Sequence, residues 1–206
     1  MIIFTNNAIS GLAAKPTRGF AANLRVMADK TNDQLTITNP LYLQSAFLQE
    51  GYNKIAAQKI LEDLKKAFPN SINSDDKLGV GNIADYHFMV SMPYYEDMMA
   101  VGSGANEELL AKLKAKKVVT FEQKLVNGST LVGIKLSNRT TKFASKIGSQ
   151  NAALLPYAIL IENNKAYILH PKYYIALMYP LLDMGTFMTI ATAPGAIENE
   201  IKGMII

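Results

Sequence analysis

Residues 118–137 read VVTFEQKLVNGSTLVGIKLS. Two alternating runs flank Asn127-Gly128, and Asn-Gly in that setting is the strongest short-range mark of a β-hairpin. A two-residue turn predicts that Leu125 pairs with Thr130, Phe121 with Ile134 and Val119 with Leu136, all on one face. Glu122, Lys124 and Lys135 then lie on the other. The expected hairpin has an apolar side and a wet, mostly cationic side.

A second hairpin follows in YAILIENNKAYILH, residues 157–170, turning at Asn163-Asn164. Glu162 then faces Lys165, and Ile159 faces Ile168. This hairpin is apolar on both faces: Leu160, Tyr167 and Leu169 oppose Ile159, Ile161 and Ile168. Strands of that kind are buried on both sides. Upstream, GSGANEELLAKLKAKK at 102–117 predicts a helix capped by Asn106, with Glu107 and Glu108 in its first turn and lysines in its last.

The strongest helix signal covers 38–70. Thr38 or Asn39 can cap it, and Pro40 suits its first turn. Leu48, Tyr52, Ile55, Leu61, Leu64 and Phe68 form a stripe, and Gly51 is a point where it can split. Lys65 and Lys66 fall in the last turn, before Pro69 and Asn70. A polar loop follows at 69–85, and a short strand is expected from His87 to Met92. Residues 1–38 read as an extended N-terminal arm, and 39–206 as a single α+β domain. Two main helices would combine with antiparallel hairpins in a mixed or antiparallel sheet.

Charge is distributed unevenly. Residues 109–161 hold nine Lys or Arg and one acid, Glu122; the rest of the chain holds twelve cations and sixteen acids. Lys112, Lys114, Lys116, Lys117, Lys124, Lys135, Arg139, Lys142 and Lys146 are therefore expected to form one basic surface. Phosphate backbones attract such surfaces without sequence specificity, and Phe143 is the expected stacking partner for a base. An acidic face of another subunit is an equal candidate, with this chain's own 75–108 segment as one source.

No specific chemistry is announced. The chain has no cysteine, hence no disulfide framework and no thiolate. His87 and His170 are its two histidines, and no G-x-S-x-G elbow accompanies them. Both are expected to be structural. Asp75, Asp76, Asp85, His87, Glu96 and Asp97 match no metal-site spacing, so no metal or other cofactor is expected. GVGN at 79–82 and GSGAN at 102–106 lack the Gly-Lys-Ser/Thr that completes a phosphate loop. Met89, Met92, Met98, Met99, Met178, Met184 and Met188 read as core first and as an adaptable binding surface second. The longest apolar run, 152–161, is about half of a membrane span and contains Pro156. The opening MIIFTNN has no basic n-region, so no classical secretory signal is expected.

Both chain ends are apolar, and free ends are usually polar unless tied down. Ile2, Ile3, Phe4, Met204, Ile205 and Ile206 at the ends, with Leu160, Tyr167 and Leu169 on the hairpin that is apolar on both faces, are thus expected at contacts between copies. The resulting expectation is a non-enzymatic assembly protein acting as a homo-oligomer with other assembly subunits. Virion components such as phage capsid, ring or head–tail connector subunits have this character. The expected location is a virion or the cytoplasm, with no membrane partner. The alternatives are a nucleic-acid-binding accessory protein, such as a single-strand binder, and an enzyme whose acids around 75–97 converge only in the fold.

Overall fold

The computed structural model describes residues 1–75, 78 and 83–205. Asp76, the 79–82 stretch and Ile206 lie outside the described residues. The fold is α+β, built on two antiparallel sheets. The larger has the order β4-β8-β7-β6-β5. Its strands are β4 (Met99–Ser103), β5 (Val119–Lys124), β6 (Thr130–Ile134), β7 (Tyr157–Glu162) and β8 (Lys165–Ile168).

The second hairpin forms in the expected register, with Glu162 opposite Lys165 and Leu160 opposite Tyr167. Asn163 and Asn164 take φ of +50° and +60°, the left-handed pair that a two-residue turn requires. The first hairpin departs from expectation by one residue. Lys124 faces Thr130 and Phe121 faces Gly133. The loop has three residues, not two. Gly128 N–H donates to Leu125 O (3.0 Å), and Leu125 N–H donates to Ser129 O (2.9 Å). Gly128 supplies the left-handed residue (φ +85°), and Asn127 Oδ1 accepts from the Ser129 hydroxyl at 2.7 Å. A second irregularity between Val119 and Phe121 then sets Val119 opposite Ile134.

Antiparallel partners share a face, so the register divides the sheet. Phe121, Gln123, Leu131, Gly133 and Leu160 lie on one face; Glu122, Val132, Ile159 and Ile161 lie on the other. Every residue of β6 and β7 is buried. The wet side expected of the first hairpin is therefore confined to β5. On the second face lie α4 (Asn106–Ala115) and α9 (Ala193–Ile205). Ile205 sits directly over Gly102, with Leu109 beside it.

The first face is covered by residues 1–51, which correct the expected arm. They form β1 (Ile2–Phe4), α1 (Asn7–Ala13), β2 (Leu24–Asp29), β3 (Gln34–Ile37) and α2 (Pro40–Leu48). The three strands make a sheet of order β1-β2-β3. Gly19 lies against Leu160, and Phe20, Ala21 and Ala22 join the main core. Two buried arginines lock this layer down. Arg25 Nη1 donates to Ala153 O (2.8 Å) and Pro156 O (3.1 Å), just before β7. Arg18 pairs with Glu50 and Glu96, each at 3.0 Å, and lies 5.3 Å from the Tyr95 ring centre. The buried Glu162 carboxylate accepts Thr17 N–H at 2.8 Å. The extended reading failed because much of the apolar content here is Ala and Gly, which carry little periodic signal.

The long helix splits as expected near Gly51, into α2 and α3 (Lys54–Ala67). Asn39 caps α2 and Asn53 caps α3. The break changes the helical phase, so α3 buries Ala57 and Ile60, and Ile55 is 84% exposed. Asn106 does not cap α4; its Oδ1 accepts Asn164 N–H at 3.0 Å and ties the helix start to the second hairpin. The segment from His87 to Met92 is a series of bends and turns, not a strand. After β6 come α5 (Asn138–Thr141) and α6 (Phe143–Ile147); after β8 come α7 (Pro171–Met178) and α8 (Met184–Met188).

Candidate nucleic-acid interface

The cations of 109–161 are carried to the surface by elements that bury their neighbours. In α4, Leu109 and Leu113 face the core, so Lys112, Lys114 and the following Lys116 and Lys117 are exposed. In β5 the alternation leaves Glu122 and Lys124 exposed. Beyond β6, Leu136 is buried and Lys135 is exposed. Arg139, Lys142 and Lys146 are exposed on the short helices that follow.

The fold brings part of this set together. Lys135 N–H donates to Val118 O at 2.8 Å, so Lys116 and Lys117 emerge beside Lys135 at one end of the large sheet. Arg139 and Lys142 follow within two helical turns. Glu200 on α9 holds the start of this segment by accepting Ser137 N–H (2.6 Å) and the Ser137 hydroxyl (2.9 Å). Lys114 is neutralised by Glu122 at 2.5 Å. Lys124 lies at the other end of β5, next to the hairpin loop, and is separate from this group. Lys146 Nζ donates to Thr189 O at 3.4 Å, beside α8. Phe143 is 3% exposed in the core and is not available to stack on a base. Its place in sequence among cations hid an inward-facing helical position.

Next to the basic end is a groove of about 560 Å³, lined by Ile3, Phe121, Lys135 and Leu136 among others. It lies where β1, the edge of the small sheet, meets β5, the edge of the large one. Phe121 reaches it because Gly133, its partner across the hairpin, has no side chain. A Cβ on Gly133 would stand 2.0 Å from Phe121 Cε1. The shifted register alone creates this arrangement, and the expected pairing with Ile134 concealed it.

The residues expected between copies divide differently. Leu160, Leu169, Met204 and Ile205 are at most 8% exposed, covered by this chain itself. Tyr167, Ile3 and Phe4 are half-buried, and Ile2 is 66% exposed. The apolar ends are tied down inside the fold: β1 pairs with β2, and α9 packs on the large sheet.

Both histidines have structural partners. His170 Nδ1 accepts Lys172 N–H at 3.2 Å and so caps α7. Burial first, then Lys172, lowers its pKa. His87 stacks on Tyr94, with ring centres 4.3 Å apart. Among the described residues no three acidic or histidine side chains converge as metal ligands. The start of α4 presents Glu107 and Glu108, which repel phosphate. Tyr95, Tyr157, Tyr173 and Tyr174 are buried, and burial raises the pKa of each phenol. Of the seven methionines singled out from the chain's ten, Met89 and Met188 are exposed and the others half-buried. Among the described residues no helix is long and apolar enough to cross a membrane. Comparison with protein-family models, curated proteins and solved structures gives no match.

Proposed function

We propose that this chain is a non-enzymatic assembly protein whose basic end meets the phosphate backbone of nucleic acid. A subunit of a nucleic-acid-containing particle, such as a phage virion, has this task. The observation that carries the reading is the gathering of Lys116, Lys117, Lys135, Arg139 and Lys142 at one end of the sheet, all exposed. Five such contacts would release about five counterions and make binding steeply salt-dependent.

Self-association would use another surface. Phe88 and Phe187 pack 5.4 Å apart, which sets the exposed Met89 and Val90 near the exposed Met188. Exposed apolar groups gathered this way mark protein contacts.

The test is fluorescence polarisation of a labelled random-sequence duplex with untagged protein. Affinity should fall roughly 10²- to 10³-fold between about 50 and 200 mM salt. The double substitution K116E/K117E should weaken binding and flatten the salt slope by about two. Salt-independent binding, or none, would remove this reading.

A further inference from the structure

We propose that the groove between β1 and β5 takes an unstacked base of a single-stranded nucleic acid, with the Phe121 ring as its platform. This rests on the basic-end reading and names the form of nucleic acid recognised.

Three features point to a base. The floor is apolar, formed by Phe121 with Ile3 and Leu136, and the volume of about 560 Å³ suits a small ring system. Lys135, Asn138 and Thr141 line the rim, supplying a cation for phosphate and amide and hydroxyl groups for base edges. Among the described residues no acid lines the groove, and Lys135 belongs both to its lining and to the basic end. A phosphate chain following those cations passes the mouth of the groove.

Charge alone does not separate single strands from duplex; the groove does. Bases in a duplex are stacked inward and present no free face. Bases in a single strand can turn onto an aromatic ring, and stacking of that kind is sequence-tolerant. An extended peptide added to the β5 edge is the competing occupant. The surrounding cations give a neutral peptide nothing, whereas each phosphate meets one.

The chain has no tryptophan, so F121W makes a single reporter inside the groove. A deoxythymidine oligomer should raise the polarisation signal and quench this tryptophan, with both saturating together. A duplex of equal phosphate count should raise polarisation without quenching. By polarisation, F121L should lose roughly 5- to 100-fold of single-strand affinity and keep duplex affinity. F121Y should retain both, and this pair decides the matter if F121W fails to fold by thermal melting. Equal binding of oligomer and duplex, with no quenching and no effect of F121L, would overturn the groove proposal and leave the basic end standing. Loss of all nucleic-acid binding would overturn both. A fluorescence change on adding an acidic peptide, with none for the oligomer, would give the groove to a protein strand and overturn the proposal.

Discussion

At the scale of a residue, position decides what a titratable group does. His170 is an acceptor at the start of α7 and must be neutral at Nδ1 to serve. Burial and Lys172 lower its pKa, against weaker opposite pulls from Glu198 and Asp97. A native pKa below the unfolded value means that the unfolded chain binds the proton first. Stability is therefore full above about pH 6.5 and declines as pH falls through the lowered native value. H170N keeps an acceptor at the cap and has no ring to titrate. Its urea midpoint should change less than that of the parent over this range. H170A should lose about 1 kcal/mol with the cap, and do so even at pH 8. Sequence alone indicated that this histidine is structural. It did not indicate the helix start that gives it its task.

At the scale of an element, the two hairpins show what a turn signal can and cannot specify. Asn163-Asn164 fits the two-residue turn, and the register follows. Asn127-Gly128 is compatible with two loops, because a left-handed glycine also completes a three-residue one. The Asn127 side chain and the burial of all of β6 favour the longer loop, and each strand residue then meets a different partner. The Phe121–Gly133 pair depends on that choice. G133A would place a methyl inside the Phe121 ring and force the ring outward. We expect a loss of about 1–3 kcal/mol in urea unfolding at unchanged m-value. An unchanged midpoint would mean that the ring does not rest on the glycine.

At the scale of the whole molecule, the first 38 residues are part of the body. They cover Leu160, and Arg25 within them holds the carbonyls of Ala153 and Pro156. Deleting residues 1–38 would bare an apolar sheet face and leave those buried carbonyls without their donor. The truncated chain should show no cooperative thermal transition and should aggregate. A detachable arm would leave Tm unchanged, so calorimetry of the two forms separates the cases. Legibility was lowest here. Alanine- and glycine-rich stretches carry weak periodicity, and what they cover is distant in sequence.

Sequence by itself determined the α+β class, both hairpin positions, a helix start at Thr38 or Asn39 with Gly51 as its breaking point, and the exposure of every cation in 109–161. These follow from local periodicity, turn chemistry and charge, which act over a few residues. The tertiary structure alone decided which apolar groups remain outside. It buried Phe143, Leu160, Leu169, Met204 and Ile205, joined the backbone of Val118 to that of Lys135, and opened a groove beside Phe121. Those outcomes depend on packing between segments far apart in the chain, where one residue of register or one turn of helix changes the face a side chain occupies.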